Sequence, residues 1–430
     1  MRVSTGMIFD AGVSSINRQT ASLLHVQQQV AAGRRILRPS DDPVAAARAL
    51  EVTQASDLIA QFKQNQDNAS AALGLEETQL TSAIDVLGRV QELAVLGGTT
   101  SLSATARRGI ATELRSRFDQ LLGIANSTDA NGQSAFSGFM GATTPFGGSV
   151  DSILAGNEIT YLGDDGQRKL QVSPNRFVDV SDSGNDVFKR IKNGNGYFVA
   201  DYAIGNTGTG IVGSGAVTNP ATWNAATTKN VAIRFTVTGP VTTYDLVDTV
   251  SGNSLLTGAA APAPLVSQRT YQSGQPIILS QVGPPAFDLG ASISVKGAPA
   301  SGDSFSIAPS ASQSVFVTLA KLIGALEVPP GTPADDAKYM NQIDLALTNI
   351  GQASNNILRV RTGIGARMNE LESLGSLNEN LSLQYQQTLS NLQDLDYAKA
   401  ITDLTRNQTN LEAAQKSFAR ISQLSLFNYL

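Results

Sequence analysis

The chain has 430 residues, 31 basic against 36 acidic, for a net charge of -5; that length suggests about three domains, and the slight acidity excludes the basic face that nucleic acid or an anionic membrane requires. It contains no Cys and a single His, which excludes disulfides, thiolate chemistry, sulfur-ligated metals and most histidine-based catalysis. Only 16% of residues are charged, so much of the surface should be apolar or uncharged.

The first ten residues carry no apolar run, so no ordinary secretion signal is expected there, nor is there a stretch long enough to span a bilayer. A seven-residue apolar repeat, Phe9, Ile16, Leu23, Val30 and Leu37, then predicts a helix with a coiled-coil seam. A second helix follows with Val52, Ile59, Gln66, Leu73, Leu80 and Leu87, flanked by Phe62, Ala69, Ala83 and Val90. Gly97-Gly98 separates it from a third, whose apolar face holds Ile110, Leu114, Phe118, Leu121 and Ala125.

Between Ile191 and Gly302 there are nine charged residues in 112 and no Glu, with Gly, Thr, Ser, Val and Pro abundant. Val231, Ile233, Phe235 and Val237 alternate, Gly239-Pro240 turns the chain, Tyr244 and Leu246 alternate again, and Gly252-Asn253 marks another turn. These signals predict an antiparallel β-domain. Helical periodicity then returns: Ile350, Ile357, Ile364 and Leu371 repeat every seven, with Ala353, Val360, Leu374 and Leu381 three residues on. After Asp396 comes a last amphipathic segment with Ile401, Leu404, Leu411, Phe418, Ile421 and Leu424.

The expected fold is therefore mainly α with inserted β: a long antiparallel helical bundle or coiled-coil rod, its N- and C-terminal helices paired, plus a β-rich outer domain. Residues 1–42 and 396–430 would be terminal coiled-coil assembly segments, disordered in the monomer because two helices alone bury little. Residues 43–190 and 303–395 would form the helical rod with a β-hairpin region, and 191–302 the outer domain.

Motifs that suggest chemistry have simpler readings. Gly208, Gly210 and Gly213 match a phosphate-loop spacing, but no helical period follows and no acid stands where a ribose would need one; a glycine-rich surface loop is expected. In Asp41-Asp42-Pro43 the second Asp caps a helix and Pro43 occupies its first position. His25 lacks an acidic neighbour in sequence and reads as a helix-flank residue. Gln27, Gln28, Gln29, Gln384, Gln386 and Gln387 offer uncharged polar helix surface, solvated or used in subunit packing. No catalytic, metal or cofactor site can be assembled from this inventory, and no enzyme is expected.

The stretch Gly33-Arg34-Arg35-Ile36-Leu37-Arg38-Pro39-Ser40-Asp41-Asp42-Pro43-Val44 resembles the bacterial flagellin superfamily, with Gly33, Arg35, Ile36, Ser40, Asp41, Asp42 and Pro43 carrying the motif. Pro43 followed by Val44-Ala45-Ala46-Ala47-Arg48 resembles its hook-associated branch at the hook-filament junction. The far end agrees through Asp396-Tyr397-Ala398-Lys399-Ala400-Ile401, Gln408-Thr409-Asn410-Leu411-Glu412-Ala413-Ala414 and Ser425-Leu426-Phe427-Asn428-Tyr429-Leu430. Further matches are Phe136-Ser137-Gly138 and Gly302-Asp303-Ser304-Phe305, where the helical part is expected to resume.

The resemblance implies a structural protein of the bacterial flagellum, exported unfolded through the flagellar type III system and placed outside the cell. It would join hook to filament and template flagellin assembly. Its partners would be the other junction protein, flagellin, copies of itself in a ring or helical layer, and an export chaperone, with no nucleic acid, membrane or small-molecule substrate. The expected assembly interface is Ile16, Leu23, Val30 and Leu37 with Leu404, Leu411, Phe418, Ile421 and Leu424. Alternatives are a filament flagellin, an adhesin or enzyme module carried on the β-insert, and a coiled-coil type III translocator; the last needs an apolar hairpin that the sequence does not show.

Overall fold

The computed structural model describes residues 5–99, 102–328 and 330–423. Its helices are α1 (Thr5–Ala32), α2 (Pro43–Gly97), α3 (Ala104–Ala125), α4 (Val150–Leu154), α5 (Pro220–Ala225), α6 (Val315–Glu327), α7 (Pro333–Gln393) and α8 (Tyr397–Gln423). The short strands β1 (Phe146–Gly147), β2 (Thr160–Tyr161), β3 (Lys169–Ser173), β4 (Arg176–Asp179) and β5 (Ile191–Lys192) precede the main sheets. Those sheets use β6 (Phe198–Tyr202), β7 (Ile211–Val212), β8 (Ala216–Val217), β9 (Val231–Thr238), β10 (Val241–Asp248), β11 (Arg269–Thr270), β12 (Pro276–Gln281), β13 (Phe287–Lys296) and β14 (Ser304–Pro309); β15 (Ser312–Gln313) pairs with β5.

The chain divides into two compact units. One takes the described residues within Met1–Asp67, Gln171–Arg176 and Leu371–Leu430. There α1 and α8 pack on one another. On α2, Gln66 stands at a heptad position meant for an apolar residue, yet it is buried because its amide donates to the Val172 carbonyl at 2.9 Å; Asn65 reaches Gln171 O beside it at 2.8 Å.

The second unit, Asn68–Leu170 and Phe177–Glu370, holds the main core. The heptad positions Leu73, Leu80 and Leu87 on α2 are completely buried, as are Ile350, Ile357 and Ile364 on α7, each such side chain contributing roughly 1.5–3 kcal/mol. The face foreseen on α3 is buried too, from Ile110 to Ala125. Gly97 ends α2, where an added Cβ would come within 2.9 Å of Leu326 Cδ2, and the Tyr339 hydroxyl donates to its carbonyl at 2.6 Å.

In the β-domain, β9 and β10 form the hairpin that alternation and Gly239-Pro240 foretold, with Val241 opposite Thr238. The five-stranded sheet runs β11-β10-β9-β14-β6; a second runs β12-β13-β7, with β8 also on β13. Ile233, Leu246, Phe305 and Ile307 from the first share one core with Ile277, Leu279, Leu289 and Ile293 from the second, so the two sheets bury their faces against each other.

One expectation changes here: the helical part does not resume at residue 303. Phe305 and Ile307 alternate inward, 0% and 1% exposed, a period of two that makes β14 a strand beside β9 and β6. Helix returns at Val315, with Ser314 accepting from the Phe316 N–H as its cap.

Three asparagines on α7 fasten that helix to the loops around it. Asn341 accepts from Val212 N at 2.8 Å and donates to Gly210 O at 3.0 Å. Asn349 accepts from Gly194 N at 2.7 Å, and Asn356 donates to Asp186 O and Val187 O. Their spacing of eight and seven residues keeps them on one face.

Candidate assembly interface

The first unit contains two chain reversals that lie against each other. Helix α1 ends at Gly33, whose φ of +67° suits glycine and whose α-carbon is covered by Tyr397: an added Cβ would stand 2.9 Å from Tyr397 Oη. From there the N-terminal reversal pairs with the C-terminal one. Arg35 N donates to Gln393 O at 2.7 Å, Leu395 N to Gly33 O at 3.1 Å, and Arg35 Nη2 to Leu392 O at 2.9 Å.

The family-motif residues occupy this elbow with distinct tasks. Arg35 also meets Asp42 at 3.3 Å. Asp41 accepts from the N–H groups of Leu37 and Arg38 at 3.0 and 2.8 Å, and these backbone donors, Arg38 first, hold its carboxyl below the ordinary carboxylate range. Asp42 accepts from Ala45 N at 3.0 Å, capping α2 with Pro43 at its first position. Asp396 does the same for α8 through Lys399 N at 3.1 Å. Ile36 is half-buried and Ser40 exposed.

His25 differs from its sequence reading. The reversal brings Asp41 to 3.5 Å from its Nε2, so an acidic neighbour absent from the local sequence arrives through the fold. Gln29, in the glutamine run, donates to Arg35 O at 2.6 Å; it locks the elbow.

Leu37 also departs from expectation. The heptad count carries it into the α1 seam, but α1 stops at Ala32 and Leu37 sits in the elbow. Gly33 breaks the helix, and period alone does not register such a break.

The remaining interface residues line the α1/α8 pair. Phe9 and Phe418 stack with centroids 5.0 Å apart, over Gly12, which has no side chain to obstruct the Phe418 ring. Ile16, Leu23, Val30, Leu404, Leu411 and Phe418 are all only half-buried. Ile421's side chain and the whole of Leu424 lie outside the described residues. Around them Met7 is 64% exposed, Phe9 52%, Leu24 52% and Ile401 54%. A seam whose inward residues are half wet, surrounded by bare apolar side chains, is an incomplete core.

The glycine-rich loop at 208–213 has a structural cause. The buried carboxylate of Asp303 accepts from Thr207 N, Gly208 N and Ala300 N at 2.8, 3.0 and 2.8 Å, so donors that a phosphate would use are already taken. Sequence reasoning missed the elbow's second half: Gln393, Asp394 and Tyr397 stand next to a recognised motif, but nothing in their spacing points to Gly33.

Comparisons agree with this geometry. Residues 3–140 match the bacterial flagellin N-terminal helical region and residues 347–430 its C-terminal helical region. The flagellar hook-associated protein 3 of Escherichia coli K12 is 24% identical over 428 residues, 99% of each chain. The crystal structure of hook-associated protein 3 from Legionella pneumophila has 31% identity and a TM-score of 0.71, covering 79% of this chain and 98% of that one. The FlgL structure from Xanthomonas campestris has 30% identity and a TM-score of 0.66, covering 79% and 99%. Paired flagellin-type terminal helices and a β-domain between them define the class. The chain belongs to the flagellin superfamily and, within it, to the family of hook-associated protein 3, a family of flagellar structural proteins.

Proposed function

We propose that this protein forms the layer joining hook to filament in the bacterial flagellum, outside the cell, after export by the flagellar type III route. The observation that supports it most directly is the half-exposed seam of α1 and α8. In this reading 1–42 and 396–430 are assembly segments, 43–190 and 303–395 the helical body, and 191–302 the outer domain. Copies of the chain complete one another's terminal cores, so ordering entropy is offset only on docking. Head-to-tail contact of this heterologous kind builds ring-like or helical layers.

The other junction protein would lie on the hook side and flagellin on the far side, with an export chaperone covering the apolar ends before secretion. The work is done by packing rather than catalysis. Replacing Leu411 and Phe418 by Asp places charge in the seam; the double variant should fold through its second unit but fail to join hooks to filaments. If it still joins them, the interface is misassigned. Growth of long filaments from the pure protein would instead favour a filament subunit.

A further inference from the structure

In the second unit one carboxyl group lacks the partner that its burial calls for. Glu76 of α2 is 2% exposed. Its Oε1 accepts from Asp182 N at 3.1 Å, while its equally buried Oε2 has no hydrogen-bond partner.

The charged groups facing it are committed elsewhere. Asp182, between β4 and the turn at Asn185, is 7% exposed and binds Arg367 of α7, Nη2 to Oδ2, at 2.5 Å, and Gln167 at 2.9 Å. Arg367 further donates to Asp179 O and Gly363 O. Arg168, just before β3, places Nη1 on Gln133 Oε1 at 2.7 Å, and its buried Nε has no partner. Next to Glu76 on α2, Glu77 is paired with Arg361. Two carboxyls therefore face each other with a guanidinium bound to only one, an arrangement that disfavours charge on the second.

We propose that Glu76 is a proton-controlled latch: as a neutral acid it seats the 180–184 segment on α2, and on losing its proton it releases that segment. An ionised Glu76 at this depth must gain water or a new donor. Helix α2 is continuous there, whereas the segment is held by single hydrogen bonds, so the segment is what moves.

Release reaches the core. Gly184 N donates to Phe136 O at 3.0 Å, and an added Cβ at Gly184 would meet the Phe146 ring at 2.7 Å. Phe136 and Phe146 both stack edge-on to Phe188, which follows in the chain, at 5.3 and 5.8 Å. The segment thus covers an aromatic cluster. Burial first, and Asp182 second, push the Glu76 carboxyl up to about 8, which sets the range in which the latch works. The inference rests on this cluster alone and does not depend on the flagellar reading.

The test is a carbon-detected NMR titration of Glu76 in the full chain. With it goes amide exchange of residues 181–190, corrected for intrinsic rates, between pH 6.5 and 9 in the wild type and in Glu76→Gln. The expected midpoint is near pH 8, with protection of the segment falling about tenfold or more in the wild type and staying level in the variant, whose amide imitates the neutral acid. A midpoint in the ordinary carboxylate range, or an equal loss of protection in Glu76→Gln, overturns the proposal. The wild-type titration decides alone if the variant does not fold.

Discussion

Single residues here act through the backbone as much as through side chains. Gly33 is needed twice, for its positive φ and for the room that Tyr397 occupies. Gly33→Ala should strain the elbow by about 1–2 kcal/mol, read as roughly tenfold faster exchange of the Arg35 and Leu395 amides. Two carboxyls respond to pH in opposite senses. Asp41 is lowered by the Arg38 and Leu37 N–H groups, so its contribution is present above the ordinary carboxylate range and is lost as pH falls through its own lower value. Glu76 is raised: between the ordinary carboxylate range and about pH 8 the folded chain holds a proton that the unfolded chain has released. Stability therefore declines as pH rises across that window. The thermal midpoint should fall between pH 6 and pH 8.5 in the wild type and much less in Glu76→Gln; equal falls would show that another group is responsible.

At the level of elements, the long seams were legible because burial follows period: Leu73, Leu80, Leu87, Ile350, Ile357 and Ile364 are fully buried where seven-residue spacing places them. The β9/β10 hairpin was legible from alternation and its Gly-Pro turn. What spacing did not reveal depends on contacts formed far along the chain. Leu37 continues the repeat in number but not in space, since Gly33 has already ended the helix. β14 was hidden by its position after a family motif, although Phe305 and Ile307 carry the alternation of a strand. The α7 asparagines give no local sign, because their partners Val212 and Gly194 lie 129 and 155 residues away. Asn349→Ala leaves the Gly194 N–H unsatisfied and should cost about 1–3 kcal/mol, measured by urea unfolding; a change within a few tenths would show that the amide bond there is replaceable.

For the whole molecule, the two units differ in how complete their interiors are. The second has fully buried seams, a shared β-core and an aromatic cluster. The first has interface residues that stay half-buried and large apolar side chains in the open. A domain that is finished beside a helix pair that is not is what a subunit completed by its neighbours requires. The elbow motif was recognisable as sequence, yet its physical reason, two reversals hydrogen-bonded across Arg35 and Gln393, emerges only from the fold.

Hydrogen exchange on the free chain in dilute solution tests this most directly. Amides of α1 through Ile16 and of α8 through Phe418 should exchange rapidly, while those around Leu80 and Ile357 stay protected, and both ends should become slow once subunits assemble. Slow exchange at Ile16 and Phe418 in the isolated monomer would contradict the claim that the terminal helices need sister chains to complete their core.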